Sequence, residues 1–403
     1  MSRVRVASVI PDLWFGGSSN RLLSFATSVD RARFEHVVVT LWSRDPTQEQ
    51  TIGSRRTAYA EAGVEVIDLG EPPRRRIMPS RRPDAVLRAG VTLGRMLGRL
   101  CRVLRERRID LVDAQHATAT LMGAMAGRLT GRAVTITEYY PYYFDRSAMR
   151  TAGNLAYRSA DAFVCDSQAH SDLINRWLWR PHPRSVVIPN GIPVPTVTRS
   201  NSEMREALGI PLDRGARIVG QVSRLVRHKG QRDLLRAARC VLAEFPDTWF
   251  VLTGYAGEDP PFLEQLRADA RELGIEDRLR IVSWPGSIGD IWELIDIHVH
   301  ASVEDSLPIA ITEGMAFGKP AVLTDVGGVR EMVTHEETGL VVPMRDPDAI
   351  ATGVLRLLRE PETTRRLGAA AQARYQRGYR PEVMARAIEK VFLDVLERRG
   401  ARA

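Results

Sequence analysis

Residues 302–333 read SVEDSLPIAITEGMAFGKPAVLTDVGGVREMV, and the order of residue types along them decides the architecture. The uncharged turn Ser306-Leu307-Pro308 opens a segment whose small and apolar residues (Ala310, Ile311, Met315, Ala316) suit a buried helix. Gly318-Lys319-Pro320 stops that helix, residues 321–324 read as a buried strand, and Gly327-Gly328 turns the chain again. A helix that closes onto a short buried strand is half of a crossover unit in a parallel sheet. The helix start is also chemically pointed: its first N–H groups lack intrahelical partners and carry partial positive charge, which suits a phosphate. Asp305 stands just before that start and Glu313 lies eight positions later, inside the helix.

The same alternation runs through the rest of the chain. In the first half, strands are expected at 4–10, 37–41, 64–69, 111–114, 134–137, 162–166 and 186–188. In the second they are expected at 218–222, 249–253, 279–283, 297–300, 321–324 and 340–343, with helices such as 231–245 and 261–273 between them. Residues 193–202, with two prolines and little apolar content, read as a linker. The last three segments, 347–359, 361–377 and 381–399, are helical by period. At 403 residues the chain is too long for one ordinary core, and strands alternating with helices once in each half imply two doubly wound domains of α/β class facing a cleft. The expected division is 1–192 and 203–378 for the domains, 193–202 for the linker and 379–403 for a final helix.

An apolar content of 44% with 26% charged residues describes a globular chain, and a net charge of +8 favours an anionic partner. Of the 57 basic residues only Lys229, Lys319 and Lys390 are lysines. Arginine cannot replace lysine where a compact ammonium is needed, so Lys229, alone in the first 318 residues, points to a site. Cys101, Cys165 and Cys240 are widely spaced among apolar neighbours and read as reduced core residues of a cytoplasmic protein, with no metal-binding spacing. No apolar run reaches the roughly 18–20 residues of a membrane span.

Several loops carry chemistry. Gly16-Gly17 between the first strand and an amphipathic run forms either a tight turn or a place where a ligand meets backbone. Arg74–Arg76, Arg81 and Arg82 precede a helix with Arg88, Arg95, Arg99 and Arg102 on one face, followed by Arg105, Arg107 and Arg108. This is a solvated face or a surface for anionic lipid; nucleic acid is disfavoured because no interleaved aromatics accompany the charge. Gln115-His116 follows the fourth strand, at the sheet edge where open α/β folds hold ligands. Glu138 and Tyr139 begin a run with five aromatics in six residues (139–144) that either stacks on a sugar or packs as structure. Arg224 and Lys229, five apart in one loop, can grip a diphosphate, with forked bonds from the guanidinium and a point charge from the ammonium. Gly254 and Gly257 close the next strand–helix turn, where a backbone could approach a ligand. Together with Asp305 and Glu313, these strand-end residues describe one nucleotide-diphosphate site. An apolar-flanked Glu313 needs a ligand hydroxyl or a basic partner, whereas Asp305 has the simpler alternative of capping the helix.

With these motifs in view the chain resembles the retaining GT-B glycosyltransferases of family four over nearly its whole length. The resemblance rests on GGSSN (16–20), SADAFVCDS (159–167), VVIPNGIP (186–193), VSRLVRHKG (222–230), the Asp305–Glu313 pair, GKPAVLTDVGGVREMV (318–333) and TGLVVP (338–343). It implies transfer of a sugar from a nucleotide diphosphate sugar to a hydroxyl acceptor, which could be lipid-linked, with no metal or cofactor. Arg224 and Lys229 would neutralise the leaving diphosphate, Glu313 would hold the ribose, and Asp305 would hold the donor sugar. Gly16, Gly17, Gly254, Trp284 and the segment Ser306, Leu307, Pro308, Ile309 would line the donor site; Gln115, His116, Glu138 and Tyr139 would face the acceptor. Two departures stand out. Asp305 replaces the usual glutamate, and the usual histidine after the fourth strand aligns with Gln115, leaving His116 one residue late. Donor binding without turnover is the alternative that these departures leave open; a sugar-nucleotide epimerase of the same fold, which needs acid/base residues on both sides of the sugar, is a separate one.

Overall fold

A computed structural model describes residues 3–13, 16–42, 55–71, 83–139, 147–212, 215–254 and 259–400. It divides into two compact units, Met1–Gly191 with Pro381–Ala403, and Ile192–Arg380. Among the described residues the first unit holds seven strands: β1 (Val4–Ile10), β2 (Phe34–Trp42), β3 (Val66–Glu71), β4 (Leu111–Gln115), β5 (Ala133–Glu138), β6 (Ala162–Cys165) and β7 (Ser185–Val187). They lie in the order β3-β2-β1-β4-β5-β6-β7, and every pairing is parallel. β1, β4 and β5 are buried along nearly their whole length, as a sheet covered by helices on each side requires, with polar side chains such as Asp113, Gln115 and Glu138 among the apolar ones.

The final helix, Pro381–Gly400, belongs to this first unit. Phe392 meets Phe25 of helix Gly17–Ser28 edge to face at 5.8 Å, and the buried Glu389 accepts the Asp30 amide at 2.8 Å. Arg399 reaches the Asp161 carboxylate at 3.2 Å.

The second unit repeats the plan with β8 (Ile218–Val222), β9 (Trp249–Thr253), β10 (Leu279–Val282), β11 (Ile297–His300), β12 (Ala321–Thr324) and β13 (Leu340–Val342), ordered β10-β9-β8-β11-β12-β13 and all parallel. In each sheet the strand order reverses direction at one point, between β1 and β4 and between β8 and β11. Loops leave the strands' C-terminal ends on both sides of such a point and part there, opening a crevice for ligands.

Two expectations change. The linker expected over 193–202 gives way at Ser200, whose side chain and Glu203 form a reciprocal capping box that starts helix Asn201–Ala207. Cys240 is exposed on helix Gln231–Glu244, while Cys101 and Cys165 are buried as expected. The amphipathic pattern of that helix places position 240 on its solvent side.

Candidate functional site

In the second unit, the loop after β8 makes a 3-10 turn, Arg227–Lys229, that ends at Gly230. Gly230 has φ +69°, and a Cβ there would sit 1.8 Å from the Ala301 carbonyl oxygen, so only glycine lets this loop lie against the loop after β11. The two loops are tied: Val303 N donates to the His228 carbonyl at 2.9 Å and Ser302 Oγ to the same oxygen at 3.1 Å. From beneath, Gln221 Nε2 donates to the Lys229 carbonyl at 2.6 Å and Gln231 Nε2 to the Arg224 carbonyl at 2.7 Å. These bonds fix the backbone from which Arg224 and Lys229 project.

Lys229 Nζ donates to Asp305 Oδ2 at 2.5 Å, and His300 Nε2 lies 3.2 Å from the same oxygen. Burial raises the Asp305 pKa, but the hydrogen bond from His300 and the charge of Lys229 outweigh it and hold the carboxyl well below the usual carboxylate range. Asp305 is therefore an ionised partner of Lys229. It does not cap the helix: the cap position of Ile309–Ala316 is Pro308, without a side-chain cap bond. Arg224 is exposed on the same loop, its guanidinium 3.5 Å from His228 Nε2. Burial, then the charges of Lys229 and Arg224, lower the His228 pKa. The charges of Lys229 and Arg224 that add to the effect of burial are also part of the field an anion would meet.

Around the helix start, Leu307 is buried in the core, and Gly328 N donates to the Ser306 carbonyl at 2.7 Å. Pro308 has no N–H to offer, and Ile309 and Ala310 are half-buried in the first turn. Glu313 is half-buried on the same helix, and Trp292 Nε1 donates to its Oε2 at 2.9 Å. Trp292 is thus one partner of this carboxylate, and an uncharged one.

Two donor-site expectations meet a different arrangement. A Cβ at Gly254 would lie 1.8 Å from the Ser223 carbonyl oxygen, so the glycine is required by the contact of two loops, whatever binds nearby. Trp284 donates to Asp290 Oδ2 at 3.3 Å, and the Arg199 guanidinium lies 5.1 Å above its ring. The buried Asp290 also takes the Thr198 amide at 2.6 Å and the Arg199 amide at 3.0 Å. Trp284 thus helps fasten residues 198 and 199 to helix Ile288–Leu294. Gly257 lies outside the described residues.

In the first unit, Gly16 precedes helix Gly17–Ser28 in extended backbone, and among the described residues no atom stands within 4 Å of where its Cβ would be. Neither its conformation nor the described residues around it demand glycine there. Gln115 is buried: its Nε2 donates to Asp113 Oδ2 at 2.5 Å and its Oε1 accepts from Tyr139 at 2.9 Å. His116 turns out of the sheet with φ +64°, uncommon for a residue with a side chain, as the residue before helix Ala117–Leu129. Its side chain is 22% exposed and Nδ1 lies 3.5 Å from Glu138 Oε1. Glu138 is buried and accepts from Thr120 at 3.1 Å and Tyr157 at 3.2 Å. The four expected acceptor residues therefore form a layered group: Gln115 and Glu138 are its floor, and His116 and the half-buried Tyr139 lie above. Residues 140–144, the remainder of the aromatic run, lie outside the described residues.

Sequence reasoning passed over His300, Trp292 and His298. Ile297-His298-Val299-His300 reads as a buried strand, yet its period of two puts both imidazoles on one face. That pairing was the available signal. For Trp292 there was none beyond its place on a short helix.

Residues 201–374 match the family model for glycosyl transferases group 1, and residues 15–194 match the model for Glycosyltransferase Family 4. Over 176 residues the chain is 34% identical to D-inositol 3-phosphate glycosyltransferase of Corynebacterium urealyticum, covering 42% of this chain and 40% of that protein. It is 22% identical over 273 residues to UDP-Gal:alpha-D-GlcNAc-diphosphoundecaprenol alpha-1,3-galactosyltransferase of Escherichia coli, covering 64% of this chain and 68% of that one. Among solved structures, Anabaena HepE in complex with UDP-glucose superposes with a TM-score of 0.79 at 21% identity, over 97% of this chain and all of that one (100%). A glycosyltransferase from Rickettsia africae gives a TM-score of 0.81 at 15% identity, over 98% and 99%. These structural likenesses show the fold, two parallel-sheet Rossmann-like domains of GT-B type. With one model matching each half and together taking in most of its length, the chain belongs to the group 1 glycosyltransferases of family four.

Proposed function

We propose that the chain transfers a hexose from a UDP-sugar to a hydroxyl acceptor with retention at the anomeric carbon. The observation that carries this reading is the meeting of Lys229, Asp305 and His300 at the β8/β11 switch point, with Arg224 on the same loop and Glu313 on the adjoining helix. UDP is the first nucleotide to test, because the names of the Escherichia coli relative and of the Anabaena complex include a UDP-sugar.

In this reading Lys229 leaves Asp305 for the diphosphate, and Arg224 meets it from the exposed side. Glu313 accepts from the ribose hydroxyls, and Asp305, released from the ammonium, accepts from the donor sugar. The bond between the anomeric carbon and the phosphate oxygen breaks with its electron pair on the diphosphate. The two cations and the first turn of helix Ile309–Ala316 stabilise that charge. The acceptor oxygen bonds to the anomeric carbon on the same face, and its proton passes to the departing phosphate. His116, rather than Gln115, takes the histidine position after β4: Gln115 is committed to Asp113 and Tyr139, whereas His116 holds an uncommon backbone conformation at the sheet edge.

An acceptor carried on a lipid fits the basic helix Pro83–Glu106. Val91, Arg95, Arg102 and Arg105 recur at helical spacing on its exposed face, while Arg99 is partly engaged with the Leu69 carbonyl and Arg107 with Glu65. Arg108 is exposed just beyond the helix, whereas Arg74–Arg76, Arg81 and Arg82 lie outside the described residues, as does the Arg88 side chain. Among the described residues no helix is long and apolar enough to cross a membrane. The proposed location is the inner face of the cytoplasmic membrane, held peripherally.

Thermal shift against UDP-, GDP- and ADP-hexoses tests the donor. UDP-hexoses should raise Tm in wild type and much less in Lys229→Ala, and turnover should require an added hydroxyl acceptor. Conversion of the donor sugar without an acceptor, or no nucleotide-dependent shift at all, would refute the reading.

A further inference from the structure

We infer that Trp292 is the positioning residue for Glu313, setting the carboxylate that receives the nucleotide's ribose; this rests on the ribose reading of Glu313. Trp292 is fully buried on helix Ile288–Leu294, and its Nε1 donates to Glu313 Oε2 at 2.9 Å. Its ring cannot turn. His298 meets it edge to face at 4.9 Å and 87°, and Phe317 stacks on it at 6.4 Å and 24°. Gly314, the residue after Glu313, closes the fit. A Cβ there would stand 3.0 Å from His298 Nδ1 and 3.2 and 3.3 Å from two carbons of the indole. The indole therefore lies directly under the backbone that carries Glu313, with its one donor aimed at the carboxylate.

The chemistry of the donor matters. An indole N–H donates once and accepts nothing, and it carries no charge. It takes up one of about four acceptor positions on the carboxylate, leaving the net charge intact for a vicinal diol that donates two hydrogen bonds. An arginine or lysine in its place would compete with the diol for both oxygens and offset the charge. A rigid neutral donor fixes the glutamate's rotamer before the nucleotide arrives, so the ordering cost is met in folding instead of binding.

The experiment compares UDP with 2′,3′-dideoxy-UDP by titration calorimetry on the full chain. Four proteins are used: wild type, Glu313→Gln, Trp292→Phe, and protein with 3-benzothienylalanine at 292, which keeps the shape of tryptophan but puts sulfur in place of the N–H. Wild type should prefer UDP by about tenfold or more, the scale of hydrogen bonds to a charged group. Both changes at 292 should weaken UDP by about five- to tenfold and leave the dideoxy nucleotide unchanged, so that discrimination collapses. The double variant Trp292→Phe with Glu313→Gln should discriminate no less than Glu313→Gln alone. A merely structural role for Trp292 would weaken both nucleotides alike, and the benzothienyl protein would then behave as wild type; either result overturns the inference. If Glu313→Gln itself keeps full discrimination, the ribose reading of Glu313 fails, and the inference with it.

Discussion

Replacing Asp305 by asparagine should destabilise the ligand-free protein, abolish most transfer, and yet leave the response to UDP undiminished. The Lys229 and Asp305 side chains are 12% and 17% exposed, with Nζ and Oδ2 2.5 Å apart. Exposed ion pairs contribute about 0–1 kcal/mol, whereas removing one member of a buried pair costs about 3–5 kcal/mol, because the other charge is left without a partner. This pair is mostly covered but reaches solvent, which places Asp305→Asn at about 2–3 kcal/mol. For a unit near 190 residues that corresponds to roughly 5–10 °C in Tm. The sign with pH follows from the depressed carboxyl. Its stabilisation is present above the unfolded value of about 3.9 and is lost only as pH falls through the lower folded one, so the deficit should be constant from pH 5 to 8. Saturating UDP then brings its negatively charged diphosphate to the stranded ammonium. At a hundred times Kd, binding alone returns about 2.7 kcal/mol, so the UDP-induced shift in the variant should equal or exceed that of wild type. Transfer should still fall about a hundredfold, since the contact to the donor sugar is gone. Urea denaturation with and without UDP, beside a turnover assay, checks all three. Unchanged stability, or a UDP shift that vanishes in the variant, would refute the role given to this pair.

Two further outcomes follow from the same geometry. His116→Ala should cut turnover by about 10²-fold with Tm nearly unchanged, whereas Gln115→Ala should cost about 1–3 kcal/mol of stability by removing one of the hydrogen bonds to the buried Asp113 carboxylate; the reverse pattern, read by turnover and thermal denaturation, would return the role to Gln115. Burial, then the neighbouring His300, holds the His298 ring well below its ordinary pKa, so the unfolded chain binds a proton below about pH 6.5 that the folded protein refuses. Wild type should therefore lose stability relative to His298→Asn as pH falls from 7 to 5, by up to about 1.4 kcal/mol per pH unit, and a constant gap in urea denaturation would contradict this.

Strands β8, β9, β11 and β12 fall on the expected residues because each is a short, wholly buried run bounded by polar turns, a pattern visible without any tertiary knowledge. The C-terminal helix was legible by its period, but its attachment through Phe392 to Phe25 and through Glu389 to Asp30 depends on contacts more than 350 residues apart that no local pattern encodes. The site divides in the same way. Arg224, Lys229, Asp305 and Glu313 stood out by type and spacing. That Asp305 is Lys229's ion partner, rather than a helix cap, depends on Gly230 letting two loops touch. Trp284 read as a base contact from its place in the resembling fold's donor site, and its tie to Asp290 and Arg199 appears only in three dimensions.

The reading of the second unit's strand ends as one nucleotide-diphosphate site is tested most directly by a crystal structure of the full chain with UDP. The account predicts the diphosphate about 3 Å from Lys229 Nζ and the Arg224 guanidinium, the ribose hydroxyls on Glu313, and the Lys229–Asp305 contact longer than its present 2.5 Å. UDP bound elsewhere, or bound with that ion pair unaltered and Glu313 untouched, would contradict it.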